Sequence, residues 1–194
     1  MMKSIALFCG AASGNDVKYS ELAAEFGMEC ARRGLVLYYG GARVGLMHAA
    51  AQAALNAGGT VIGVTPTFFS KDVVQADNIT ELIHVASMSE RKQLLEKRAD
   101  SFVAIPGAFG TMDEFFELLT DAELGLHHKP VALLNAYGFY DHIISQLELF
   151  MKEGFLKKCH FDLLIIANSV GELFSKIENY NNTNDQEWLE RIKN

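Results

Sequence analysis

Cysteine is scarce in this chain. The 194 residues hold three, Cys9, Cys30 and Cys159, far apart in sequence. An odd, scattered count argues against a disulfide framework and reads as free thiols in a reducing cytosol. Long apolar runs are also missing. No window holds 18 uninterrupted apolar residues, so the sequence offers no membrane-spanning helix. The opening "MMKSIALFCG" carries one Lys and an apolar run that is short for a signal peptide and suits a first core strand. Positive charge is in deficit, with 17 Lys and Arg against 24 Asp and Glu and a net charge of −7. That balance argues against a broad nucleic-acid footprint, which needs clustered basic residues. It leaves room for a small basic site that holds one phosphate.

Several familiar motifs are absent too. No G-x-G-x-x-G spacing and no G-K-[S/T] occur, so neither a dinucleotide fingerprint nor a Walker loop is present. The six histidines form no H-E-x-x-H, and nothing in the sequence calls for a metal or other cofactor. The pair at His127 and His128 precedes Pro130 in a loop and is expected to be solvated. Cys9, at a strand end, is expected to be a small buried residue. There is no repeat, no low-complexity linker and no domain boundary. Residues 1–180 read as one domain, and 181–194 as a polar tail that frays before Trp188.

What is present is alternation. Strand-like runs fall at 4–9, 35–40, 60–65, 80–85, 100–106, 130–135 and 163–167, most of them apolar without polar interruption inside; the short 80–85 run carries Glu81 and His84. Helix-period segments separate most of them, at 17–33, 45–57, 87–99, 111–125 and 138–153, with a last helix from about 169. Strands apolar on both faces, alternating with helices, predict an α/β fold of three layers: a central parallel sheet with helices on both faces. Ligands of such sheets sit at the carboxyl ends of the strands, where the strand order reverses. Attention therefore falls on three loops after strands, "CGAASGND", "YGGARVGLM" and "PGAFGTMDE".

In "YGGARVGLM", Gly40 and Gly41 follow a strand and Gly45 precedes a helix. Glycine permits close backbone approach, and a helix N-terminus attracts phosphate. An ordinary strand-to-helix turn explains the same glycines. In "PGAFGTMDE", Gly107 and Gly110 loosen the turn after Pro106, and Thr111 stands three residues before Glu114. Thr-x-x-Glu is a capping box, and the same pattern occurs at Ser87/Glu90 and Ser169/Glu172. Glu114 is therefore either a helix cap or a carboxylate aimed at a ligand. Just upstream, Arg91 and Lys92 fall in the first turns of a helix, where cations are locally unfavourable. A surface salt bridge or an anionic ligand would account for them.

The run "MSERKQLLEKRADSFVAIPGAFGTMDEFFELL" resembles the signature of the LOG family, the cytokinin-activating phosphoribohydrolases long mislabelled lysine decarboxylases. Its pattern is an R-K pair, an apolar strand and P-G-G-x-G-T-x-x-E. "YGGARVGLMHAAAQAALNAGGTVIGVTP" resembles the family's other glycine-rich signature, and "LGLHHKPVALLN" and "GFYDHI" match later segments. The resemblance spans roughly residues 3–170. It implies a Rossmann-like fold, catalytic positions at Arg91 and Glu114, and substrate contacts from Met88, Lys92, Gly107, Gly110 and Thr111. Gly40, Gly41 and Gly45 would shape the floor of the site. It also implies a cytoplasmic homodimer with the site near the interface.

The implied reaction is hydrolysis of the N-glycosidic bond of a purine (N6-modified adenine) ribonucleoside 5′-monophosphate such as AMP or a cytokinin nucleotide. Its products are free base and ribose 5-phosphate. A non-catalytic nucleotide- or phosphorylated-ligand carrier of the same fold is the alternative. The sequence departs from the pattern at Ala108, which stands for the second motif glycine, at His48, and at Asp121 and Glu123. The last two are expected near the base-binding side or the subunit face.

Overall fold

The computed structural model describes residues 2–69 and 78–181. In chain order the elements are β1 (Ser4–Phe8), α1 (Lys18–Arg32), β2 (Val36–Tyr39), α2 (Gly45–Asn56), β3 (Thr60–Pro66), β4 (Glu81–Val85) and α3 (Met88–Arg98). Then follow β5 (Phe102–Ala104), α4 (Phe109–Glu123), β6 (Val131–Leu134), a 3-10 turn (Ala136–Gly138), α5 (Asp141–Lys152), α6 (Lys158–Phe161), β7 (Leu164–Ala167) and α7 (Val170–Glu178). The tail anticipated at 181–194 lies outside the described residues from 182 onward.

The strands form one seven-stranded sheet in the order β4-β3-β2-β1-β5-β6-β7, every pairing parallel. The chain grows outward from β1 to one edge, returns, and continues from β5 to the other edge. The strand order thus reverses between β1 and β5, and the carboxyl ends of these two strands open a crevice.

Alternate residues of each strand feed two cores. Ile5 and Leu7 of β1, Leu37 and Tyr39 of β2 and Ile105 beyond β5 face the helices α1, α2 and α7. Ala6, Phe8, Tyr38, Phe102 and Ala104 face α3, α4 and α5. This is the three-layer arrangement that strands apolar on both faces demand. Phe26 of α1 and Phe174 of α7 stack with ring centroids 5.6 Å apart, both fully buried. Among the described residues, no helix is long and apolar enough to cross a membrane.

Two helix starts are capping boxes, as the spacing predicts. Ser87 Oγ accepts from the Glu90 N–H at 3.1 Å, and the Glu90 carboxylate accepts from the Ala86 N–H at 2.7 Å. Ser169 and Glu172 repeat this before α7, at 3.3 Å and 2.8 Å to the Glu172 and Asn168 N–H groups. The third Thr-x-x-Glu is not a cap. Helix α4 begins at Phe109, two residues earlier than the spacing suggests, with Ala108 as N-cap and no side-chain cap. Thr111 and Glu114 lie inside the helix and are buried.

Candidate active site

The crevice at the sheet reversal is a cleft of about 810 Å³. Its walls come from the loops after β1, β2 and β5, the three singled out by sequence, together with Thr65 of β3 and Met88 of α3. The loops are tied to one another. The Gly10 N–H donates to the Pro106 carbonyl at 3.0 Å, and the Leu46 N–H donates to the Gly10 carbonyl at 3.1 Å. Gly45 has φ +57°, and a Cβ there would lie 2.3 Å from the Ala11 carbonyl, so only glycine lets α2 begin against the β1 loop.

Arg91 and Glu114 meet at the base of the cleft. Arg91 Nη1 donates to Glu114 Oε1 at 2.5 Å, and its Nε donates to the Val64 carbonyl at 3.1 Å. Both residues are buried, 9% and 7% exposed, and both line the cleft. A buried ion pair of this kind is costly to desolvate and weak evidence of stability. Burial pushes the Glu114 carboxyl up from its ordinary value, and the neighbouring Arg91 opposes that push. The Cys9 thiol, buried beside the cleft, is driven up by burial and by the Glu114 charge, and so stays protonated as a small core residue.

Gly40 touches this pair from the β2 side. A Cβ at Gly40 would fall 2.4 Å from Arg91 Nη2. Gly107 plays the same part for Thr111, whose Oγ1 would lie 2.1 Å from an added Cβ. Gly40, Met88, Gly107, Gly110 and Thr111 line the cleft with Arg91 and Glu114, whereas Gly41 and Gly45 lie behind its lining. Lys92 points elsewhere. It pairs with Asp113 at 3.2 Å and Glu117 at 2.5 Å on the outer side of α4 and reaches the cleft only through Asp113.

The departures from the motif settle differently. Ala108 has φ −118°, so no left-handed conformation is asked of it and glycine is not needed there for a positive φ. Asp121 and Glu123 are not in the cleft lining, and Glu123 instead pairs with His160 of α6 at 2.8 Å. His127 is buried rather than solvated. Its Nε2 sits 3.0 Å from the Leu118 carbonyl, its Nδ1 accepts from the Lys129 N–H at 3.2 Å, and its ring leans on Phe102. Those contacts fix a neutral tautomer and occupy both nitrogens. Among the described residues, no group of three His, Cys, Asp or Glu side chains is placed to hold a metal.

Sequence reasoning missed the aromatic rim. Tyr19, Phe69, Phe109 and Phe139 line the cleft, and Tyr19 and Phe139 meet edge to face at 5.6 Å. They come from four separate stretches of the chain, and no spacing links them.

The family described as "possible lysine decarboxylase" matches residues 47–177. A cytokinin riboside 5′-monophosphate phosphoribohydrolase of Arabidopsis thaliana is 39% identical over 178 residues, 92% of this chain and 84% of that protein. The enzyme so named from Rhodococcoides fascians is 44% identical over 169 residues, 87% of this chain and 85% of its own. The chain belongs to the LOG family of phosphoribohydrolases. Solved structures place the LOG-type fold in wider company. A structural-genomics target superposes with a TM-score of 0.72 at 24% identity, over 92% of this chain and all of that one. The molybdenum cofactor binding protein of Rippkaea orientalis does so with a TM-score of 0.69 at 26% identity, over 92% of this chain and 97% of its own.

The older family description does not suit the site. Lysine decarboxylation uses pyridoxal phosphate on a Schiff-base lysine. No lysine is among the described residues lining the cleft, and Lys92 is held outside by two carboxylates.

Proposed function

We propose that this protein hydrolyses the N-glycosidic bond of purine ribonucleoside 5′-monophosphates, with N6-modified adenine as base, to free base and ribose 5-phosphate. The observation that carries the reading is the buried Arg91–Glu114 pair facing a cleft that also receives the N-terminus of α4. The first N–H groups of α4 have no partners within the helix and carry its positive end, which suits a phosphate without a lysine. Thr111 adds a hydroxyl there. Phosphate held at this point places the ribose toward Glu114.

In this reading Glu114 and Arg91 are the catalytic residues. As the C1′–N bond breaks, the sugar gains oxocarbenium character, which the Glu114 carboxylate stabilises while it takes a proton from the attacking water. The water oxygen bonds to C1′, and the departing base leaves with the bond's electron pair and takes up a proton. Arg91 keeps Glu114 ionised against burial and fixes its direction. Met88 and the aromatic rim supply the apolar surface for the base, and Lys92 orients Asp113 at the cleft edge.

The test is incubation with AMP and with isopentenyladenosine monophosphate, followed by chromatography for free base. Release that vanishes in Glu114→Ala, with the circular-dichroism spectrum retained, supports the hydrolase. Binding without release supports the carrier alternative, which the likeness to the molybdenum cofactor binding protein favours. A cytoplasmic homodimer with the cleft near its interface accompanies the main reading. Phe109, 94% exposed beside the cleft, and the exposed Phe116 on the same helix support it. Sedimentation at the mass of one chain would refute it.

A further inference from the structure

We infer that Tyr140 is a positioning residue that sets the turn from β5 into α4, and through it the affinity for the phosphate end of the ligand. The inference rests on the functional reading above for what binds there.

The hydrogen-bond ladder between β1 and β5 changes register at its carboxyl end. The Ala6 N–H donates to the Ser101 carbonyl, and the Ile105 N–H donates to the Phe8 carbonyl at 3.0 Å. An unbroken parallel ladder would next send the Gly10 N–H to the Ile105 carbonyl. It goes one residue further, to the Pro106 carbonyl. The Ile105 carbonyl is thereby left without a backbone donor in a fully buried position, which a structure does not leave unsatisfied. The Tyr140 hydroxyl donates to it at 2.9 Å. Burial pushes the phenol up from its ordinary value, and the nearby Gly107 backbone opposes part of that push. The hydroxyl is thus anchored to the carbonyl directly before Pro106, the residue that turns the chain toward α4.

Tyr140 is itself firmly placed. It is 2% exposed, and its N–H donates to Asn135 Oδ1 at 2.7 Å. Asn135 Nδ2 donates to Asp141 at 2.8 Å, and the Asn135 N–H is drawn to the Ala167 carbonyl of β7. The intervening turn takes Tyr137 to φ 59° and Gly138 to φ 68°, a left-handed pair that is costly at a tyrosine. The turn leaves Phe139 lining the cleft and Tyr140 in the core. The β6–α5 connection therefore supplies one wall of the cleft and the brace under its phosphate turn.

The experiment compares the full-length protein with its Tyr140→Phe variant. Steady-state hydrolysis of AMP should show KM raised about fivefold to tenfold with kcat within about twofold, the size expected of one lost hydrogen bond. The inhibition constant of ribose 5-phosphate and the calorimetric dissociation constant of AMP should rise by the same factor. A purely structural tyrosine would lower the melting temperature or kcat and leave KM and both binding constants unchanged, and that pattern overturns the proposal. If wild type releases no base, the hydrolase reading fails on its own, while the calorimetric comparison still decides the role of Tyr140. Should Tyr140→Phe fail to fold, Asn135→Ala, which frees the Tyr140 backbone, must weaken AMP binding in the same direction or the inference falls.

Discussion

Glu114 Oε1 lies 2.5 Å from Arg91 Nη1, so of the two roles its spacing allows the carboxylate does not take that of capping its own helix at Thr111. The carboxylate reaches across to a neighbouring helix, 23 residues away in sequence. Truncating it leaves a buried guanidinium without its counter-charge. Glu114→Ala should cost about 3–5 kcal/mol of stability, the range for breaking a buried pair from one side. It should also cut base release about a hundredfold or more. Glu114→Gln keeps a hydrogen-bonding group and should lose the turnover with a smaller loss of stability. Denaturant melts and single-substrate kinetics on the two variants check both statements.

The pH dependence follows from the same carboxyl. Its folded value is raised above the ordinary 4.5 by burial. A base that must be ionised then gives kcat/KM an acidic limb above pH 4.5, and Glu114→Gln should remove that limb from whatever activity remains. For stability the sign is opposite to that of an ordinary surface carboxylate. The raised group contributes stability fully below its unfolded value and loses it as pH rises through its folded value. Wild-type stability measured relative to Glu114→Gln should therefore decline as pH rises from about 4 through the raised folded value.

Helix capping offers a control far from the cleft. Ser169 caps α7 with its hydroxyl on the Glu172 N–H. Ser169→Ala should lower stability by about 1 kcal/mol. Base release at a temperature well below the melt should be unchanged. A fall in kcat would contradict the separation of α7 from the chemistry.

Ser87/Glu90, Thr111/Glu114 and Ser169/Glu172 all read as helix-opening caps, and the first and last of them are caps. What sets the middle one apart is Arg91, a tertiary neighbour that no local pattern encodes. The strands were legible because runs such as "SIALFC" and "PVALLN" carry no polar interruption, and from their order came the parallel sheet and the end at which a ligand sits. Helix α6, four residues long, has too little periodicity to announce itself. Tyr19 and Phe139 converge on the cleft from α1 and from the turn before α5, and nothing in their separate surroundings foretells that meeting. His127 looked like a loop histidine because its carbonyl partner, Leu118, belongs to the preceding helix.

Ala108 was the departure that most threatened the phosphate turn. At φ −118° it lies outside the left-handed region that would demand glycine. Ala108→Gly should therefore bring no gain in turnover. It should cost about 0.4–1 kcal/mol through the greater freedom of the unfolded chain. A rise in kcat on this substitution would show that the alanine side chain constrains the loop.

Gly40 gives the sharpest test of the pair itself. It follows β2, at the floor of the cleft, and has no steric need for a positive φ of its own. Its requirement is space. An added Cβ would sit 2.4 Å from Arg91 Nη2 and 3.0 Å from Met47 Sδ, well inside contact distance. The methionine can swing away, but the guanidinium is held on its other sides by Val64 and Glu114. Gly40→Ala must then push Arg91 off one of those partners. A displacement of about 1 Å at a catalytic group costs on the order of a hundredfold in rate. The expected result is a folded protein with kcat reduced by at least tenfold and an acidic limb shifted further upward, because Glu114 loses the charge that opposes its burial. Gly40→Ala with wild-type kinetics would mean that Arg91 has room to spare, and the role assigned to the pair would fall with it.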